Sequence, residues 1–124
     1  MDIEQAMEKV AVLDFSKLKQ KLQATEGWSS ESTNEAEHLY RKFLALVMTY
    51  PDRKLGPSRV MDHFWHAHIL DTRAYTSDCE MLFGHYLHHY PYGGTYGDVL
   101  DIAISDAAYK NTCDLFLKHF DIVL

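Results

Sequence analysis

The chain has 124 residues, of which 47% are hydrophobic and 13% aromatic, and its formal net charge is −6. This length and composition exclude a disordered chain and predict a single domain over residues 1–124, with enough apolar material for a core. The acidic balance argues against binding to nucleic acid or to anionic membranes, because both depend on a basic surface.

The sequence also bears on the cellular setting. The N-terminal stretch MDIEQAMEKV lacks the basic and apolar regions of a signal peptide, and no apolar run is long enough to cross a bilayer. The two cysteines, Cys79 and Cys113, are expected to remain thiols, as is usual in a chain that is not secreted. We therefore expect a cytoplasmic protein, and the sequence leaves its oligomeric state open.

The first half of the chain predicts three helices. The first runs from Ile3 to about Val12, and the second follows a cap at Asp14 or Ser16 and ends at Gly27. Residues 28–33 are predicted to form a loop. The third helix begins after capping-box patterns at residues 32–37 and stops at Pro51. Its apolar side chains recur with helical spacing: Leu39, Phe43, Leu46, Val47 and Tyr50.

The second half begins with a loop over residues 51–58 and continues with further helices. One helix starts at Val60, and a break with a new start is expected at Asp71 and Thr72. The next apolar stripe consists of Tyr75, Cys79, Leu82, Phe83 and Tyr86. A turn follows at residues 91–94, and the last segment predicts one broken helix, or two helices joined near Ser105 and Asp106. The whole pattern predicts an all-α fold, a compact single-domain bundle of five to seven helices.

Six of the eight histidines lie between Val60 and Tyr92: His63, His66, His68, His85, His88 and His89. Histidine is the commonest metal ligand. In a continuous helix His66 and His68 point to different faces, with His68 on the apolar face, whereas an extended chain at Ala67 would point both imidazoles the same way. The residues alone leave both alternatives open.

A second histidine pair has a more defined spacing. His85 and His89 are four residues apart, and on one helix face this spacing can chelate zinc. Many tyrosines and aspartates are also present as hydrogen-bond partners for histidine. On the residues alone, a structural role for the histidines is therefore favoured over metal binding.

Three blocks of this stretch resemble the glycine-rich domain-containing protein-like family. The blocks are Asp62-x-x-Trp65-His66-x-His68, then Tyr75-x-x-Asp78-Cys79, then Gly84-x-x-Leu87-x-His89. They span about a quarter of the chain. Larger plant members of that family carry glycine-rich tails with RNA-binding features, but this sequence has only six glycines. The resemblance therefore implies the helical histidine-containing module and says little about RNA binding.

The resemblance also selects among the candidate site residues. It implies metal ligands at His66, His68 and His89 with Cys79 as a candidate fourth, supported by Asp62, Asp78 and Trp65. His63, His85 and His88 are then alternative ligands. For His66 and His68 to bind one ion, the helix would have to end or distort near Ala67. Alternatively, one of them binds the ion while the other orients a hydrogen bond to a ligand or in the core.

Two functions follow as hypotheses. The leading one is a small cytoplasmic helical domain whose His/Asp/Cys site binds a transition metal such as zinc. The alternative is a metal-free adaptor, immunity protein or inhibitor with structural histidines and a tyrosine-rich surface that binds a protein partner. That surface would consist of Tyr86, Tyr90, Tyr92 and Tyr96. An enzyme is disfavoured, since no H-E-x-x-H pattern, phosphate loop or cofactor fingerprint is present and no catalytic residue is predicted.

Overall fold

A computed structural model describes residues 1–90 and 97–124. These residues form six α-helices and no strand, so the prediction of an all-α fold with five to seven helices is confirmed. The helices are α1 (Ile3–Ala11), α2 (Ser16–Glu26), α3 (Ser30–Thr49), α4 (Arg59–Leu70), α5 (Thr72–Phe83) and α6 (Val99–Phe120). No helix in this part of the chain combines the length and apolarity needed to cross a membrane.

Local capping explains where the first three helices begin and end. Gly27 adopts a left-handed conformation with φ of 69° and ends α2 as predicted. The loop predicted over residues 28–33 is wrong, because α3 already begins at Ser30. The side chain of Ser29 accepts a hydrogen bond from the backbone N–H of Ser32 at 3.0 Å and caps the helix three residues earlier than the capping-box patterns indicated.

Helix α3 is the centre of the structure and packs against α1, α2, α4 and α6. Its inward side chains include Tyr40 and Phe43, both fully buried. Arg41 links α3 to the end of α1 and the connection that follows it, because its guanidinium donates to the carbonyls of Val10 and Leu13 at 2.7 and 2.8 Å. Glu37 pairs with this guanidinium and with Lys19 at 2.9 and 2.8 Å.

Helix α4 ends and α5 begins at Asp71, so the break predicted at Asp71 and Thr72 is confirmed. The prediction that His85 and His89 share a helix face is wrong. Gly84 takes the left-handed conformation with φ of 75°, and its N–H bonds to the carbonyl of Glu80, which ends α5 at Phe83. Residues 85–90 therefore leave the helix and fold back as an irregular segment.

The last helix is continuous, so the predicted break near Ser105 and Asp106 is wrong. Asp98 and Asp101 form a reciprocal capping box that starts α6, and the helix runs unbroken for 22 residues.

The segment between α3 and α4 contacts α6 closely. The N–H of Gly56 donates to the carbonyl of Ala108 at 3.1 Å, and a Cβ on Gly56 would meet the backbone N of Tyr109 at 3.0 Å.

Candidate metal centre

The unbroken helix α4 carries the predicted histidines on two different sides. It continues through Ala67 without a break, so the helical alternative for this stretch is the one observed. His68 is 2% exposed and points into the core, whereas the side chain of His66 is 58% exposed. Because neighbours two positions apart are rotated by about 200° around a helix, His66 and His68 belong to two separate clusters.

The outer cluster consists of Asp62, His66 and His89. Asp62 and His66 lie one turn apart on α4, with Oδ1 and Nε2 separated by 3.7 Å. His89 comes from the irregular segment after α5, and its Nε2 donates a hydrogen bond to the same Oδ1. One ligand atom from each residue lies within 4.8 Å of the other two. Two imidazoles and a carboxylate are thus grouped on a partly exposed face of α4.

The electrostatics of this trio favour an ionised carboxylate. Partial burial acts to raise the pKa of Asp62, but the hydrogen bond with His89 and the charges of His89, His66 and His63 outweigh it and lower the pKa below its ordinary value. Asp62 also lies in the first turn of α4, where the helix dipole stabilises a negative charge. A deprotonated carboxylate is the form that a metal ion requires.

The inner cluster is a buried hydrogen-bond relay centred on His68. Its Nδ1 faces the hydroxyl of Tyr40 at 2.8 Å, and its Nε2 faces Oδ2 of Asp78 at 2.8 Å. Burial lowers the pKa of His68, although the hydrogen bond and charge of Asp78 oppose this effect. A neutral imidazole fits both partners, since Nε2–H donates to the carboxylate and Nδ1 accepts from the Tyr40 hydroxyl, whose pKa burial raises.

A second chain of hydrogen bonds positions His89. The indole Nε1–H of Trp65 donates to the hydroxyl of Tyr75 at 2.9 Å, and that hydroxyl donates to the carbonyl of Leu87. The imidazole of His89 lies against the Trp65 ring, with centroids 4.4 Å apart. Helices α4 and α5 thus hold the segment that brings His89 to Asp62.

Cys79 lies in the core beside this chain and is a free thiol, 2% exposed. Burial raises the pKa of the Cys79 thiol, and hydrogen bonds with the Leu87 backbone and with Tyr75 only partly oppose this. Cys113 is also free. The thiol form of Cys79 suits a core residue more than a metal ligand, because metals bind the thiolate.

The other candidate ligands lie apart from the trio. His63 is exposed on α4, with its ring 6.0 Å from that of Trp28. One ring nitrogen of His85 lies 3.0 Å from the carbonyl of Tyr86, and His88 packs against the Tyr86 ring. Of the predicted partner-binding tyrosines, Tyr86 and Tyr90 are 40% and 57% exposed. Tyr92, Tyr96 and the turn predicted at residues 91–94 lie outside the described residues.

Tyr40 is a site residue that the sequence pattern did not reveal. It is fully buried and supplies the hydroxyl that bonds His68 across 28 positions of sequence. The only local signal is its spacing of three and four residues before Phe43 and Leu44, which places it on the inner face of α3. Nothing local indicates that its partner is His68.

The family assignment rests on this same region. A family profile described as UCP032817-like matches residues 6–95, which include the trio and the buried relay. The chain belongs to the UCP032817-like family. Neither a curated protein nor a solved structure matches it significantly. In this UCP032817-like protein, α6 follows the matched region.

Proposed function

We propose that this UCP032817-like protein is a small cytoplasmic helical domain that binds one divalent transition-metal ion, zinc, through Asp62, His66 and His89. The observation that carries the proposal is the convergence of three ligand atoms within 4.8 Å from two separate parts of the chain. Two histidines and a carboxylate are a common donor set for zinc, with a fourth position left for water or another ligand.

The spacing of the donors fits a tetrahedral ion after small adjustments. Zinc bonds of about 2.0–2.1 Å place neighbouring ligand atoms about 3.3 Å apart. Asp62 Oδ1 and His66 Nε2 are 3.7 Å apart. His89 is hydrogen-bonded to the same oxygen, so an ion would displace the proton that this pair shares.

The proposed ligand set differs in part from the set that the family resemblance implied. Both ring nitrogens of His68 are occupied by Tyr40 and Asp78, and Cys79 is buried as a thiol. Asp62 takes their place as a direct ligand. The resemblance to the glycine-rich domain-containing protein-like family supports this choice, because Asp62, His66 and His89 all fall in its motif blocks.

His66 provides the clean test of the proposal. Its side chain is 58% exposed, so His66→Ala should leave the fold intact while it removes one ligand. Protein purified without a histidine tag should contain about one equivalent of zinc by elemental analysis. After removal of the metal with a chelator, titration with Zn²⁺ should show binding at least about tenfold weaker in His66→Ala.

His38→Ala is the control, since it removes an exposed histidine of α3 that lies outside the trio. It should bind Zn²⁺ as the wild type does. Less than half an equivalent of metal in the purified protein, or equal affinities for the two variants, would overturn the proposal. The same donor types also suit iron(II), so a preference for Fe²⁺ in an anaerobic competition would overturn the choice of zinc.

A second candidate function is that of a protein-interaction module, and exposed apolar side chains at the start of α6 favour it. Val99 and Leu100 are 85% and 67% exposed, and Tyr90 hydrogen-bonds to Asp101 in the same turn of the helix. A photo-crosslinker at Val99 should capture a single partner protein in cells. The same crosslinker at Val12, which is 71% exposed at the C-terminal end of α1, should not, and equal labelling at both positions would count against an interaction surface.

A further inference from the structure

A cavity of about 720 Å³ is lined by residues from the end of α3, the connection to α4, the segment after α5, and α6. Its innermost wall contains Phe43, Trp65 and Leu82, which are at most 7% exposed. Ligand sites in proteins typically have volumes of about 300–1,000 Å³ and mostly apolar walls with a few polar groups. The cavity therefore has the size and lining of a small-molecule site.

Among the described residues that line the cavity, the charged side chains are all basic. The described residues that line the cavity include Arg53, Lys54 and three histidines, but no aspartate or glutamate. The chain as a whole has 18 acidic and 12 basic residues, so this lining runs against the overall charge. Among the described residues, neither Arg53 nor Lys54 has a carboxylate partner within 4.0 Å.

The basic edge of the cavity is held in place by α6. Arg53 Nη2 donates to the side-chain oxygen of Asn111 at 3.0 Å, and the Asn111 amide donates to the carbonyl of Lys54 at 3.1 Å. The N–H of Gly56 bonds to the carbonyl of Ala108 at 3.1 Å. These bonds fix the backbone of the basic edge before any ligand arrives, which lowers the entropy cost of binding.

We propose that this cavity binds a small apolar carboxylate, with its hydrocarbon body against the inner wall and its carboxylate at Arg53 and Lys54. A planar guanidinium can donate two parallel hydrogen bonds to a carboxylate, and the neighbouring ammonium adds a second positive charge. The two carboxylates that bond to wall residues, Asp62 to His89 and Asp101 to Tyr90, are not among the lining residues. The site does not require the metal centre, although His89 belongs to both.

Trp65 allows this binding to be measured directly. It lines the cavity, and Trp28 is the second of the two tryptophans, so a Trp28→Phe background leaves Trp65 as the single tryptophan, which can be excited selectively over the tyrosines. Titration with decanoate in the presence of a chelator should change its fluorescence with saturation, and 1-decanol should bind at least about tenfold more weakly because it lacks the charge. The chelator separates this result from that of the metal titration.

Two isoleucines on α6 provide matched variants. Ile104 lines the cavity and is 40% exposed, whereas Ile102 is 37% exposed and is not a lining residue. Ile104→Glu places a carboxylate in the wall and should weaken decanoate binding about tenfold, while Ile102→Glu should leave it unchanged. Arg53→Gln should weaken binding of decanoate but not of 1-decanol. Absence of saturable decanoate binding, equal binding of the alcohol, or equal losses in the two glutamate variants would overturn the proposal.

Discussion

The hydroxyl of Tyr40 should contribute measurably to stability through His68. Both residues are almost fully buried, at 0% and 2% exposure, and the hydroxyl lies 2.8 Å from Nδ1. Tyr40→Phe keeps the ring in the core but leaves that nitrogen without its donor. A buried polar group left without a partner costs about 1–3 kcal/mol, so we expect the free energy of unfolding to fall by about 2 kcal/mol.

Urea denaturation followed by circular dichroism measures this loss. With an m-value of about 1–3 kcal/mol/M for a small domain, the midpoint should fall by about 1 M while the slope stays unchanged. Tyr50→Phe is the matched control, because Tyr50 bonds His119 at 2.5 Å in a partly buried site. Water can replace that hydroxyl, so the control should lose less than about 1 kcal/mol. A Tyr40→Phe loss below about 0.5 kcal/mol, or equal to that of the control, would refute the reasoning.

Three further predictions concern other parts of the fold. Lys19 and Arg41 lower the pKa of Glu37, although burial opposes them. Glu37→Gln should therefore reduce the free energy of unfolding by about 1 kcal/mol at pH 7. That difference should vanish as the pH falls below 4.5 and through the lowered folded-state pKa, and a difference that persists in acid would contradict an ionic origin. Gly56→Ala should destabilise by about 1–3 kcal/mol, because the added Cβ would meet the backbone of Tyr109; an unchanged melting temperature would show that α6 can shift. In a thiol-reactivity assay, Cys79, whose pKa is raised by burial, should react much more slowly than Cys113, and equal rates would contradict its protection.

The candidate site was predictable in its components but not in its grouping. The motif blocks drew attention to Asp62, His66 and His89, and helical periodicity placed His68 on the apolar face of α4, where it is found. The segment that contains His85 and His89 was predicted incorrectly, because its periodicity predicted a helix that continues past Gly84. A single left-handed glycine ends α5 there, and the free segment then folds back until His89 reaches Asp62 across 27 positions of sequence.

The sequence by itself determined the all-α class, the positions of most helix boundaries, and the split of α4 into an apolar and a polar face. These features depend on the spacing of side chains within one or two turns and on local capping, and both are determined by residues close together in the sequence. Only the tertiary structure decided the partners of the histidines. Tyr40 with His68, and His89 with Asp62, meet because α3 and the segment after α5 both pack against α4. Such packing depends on long-range contacts that no local pattern encodes.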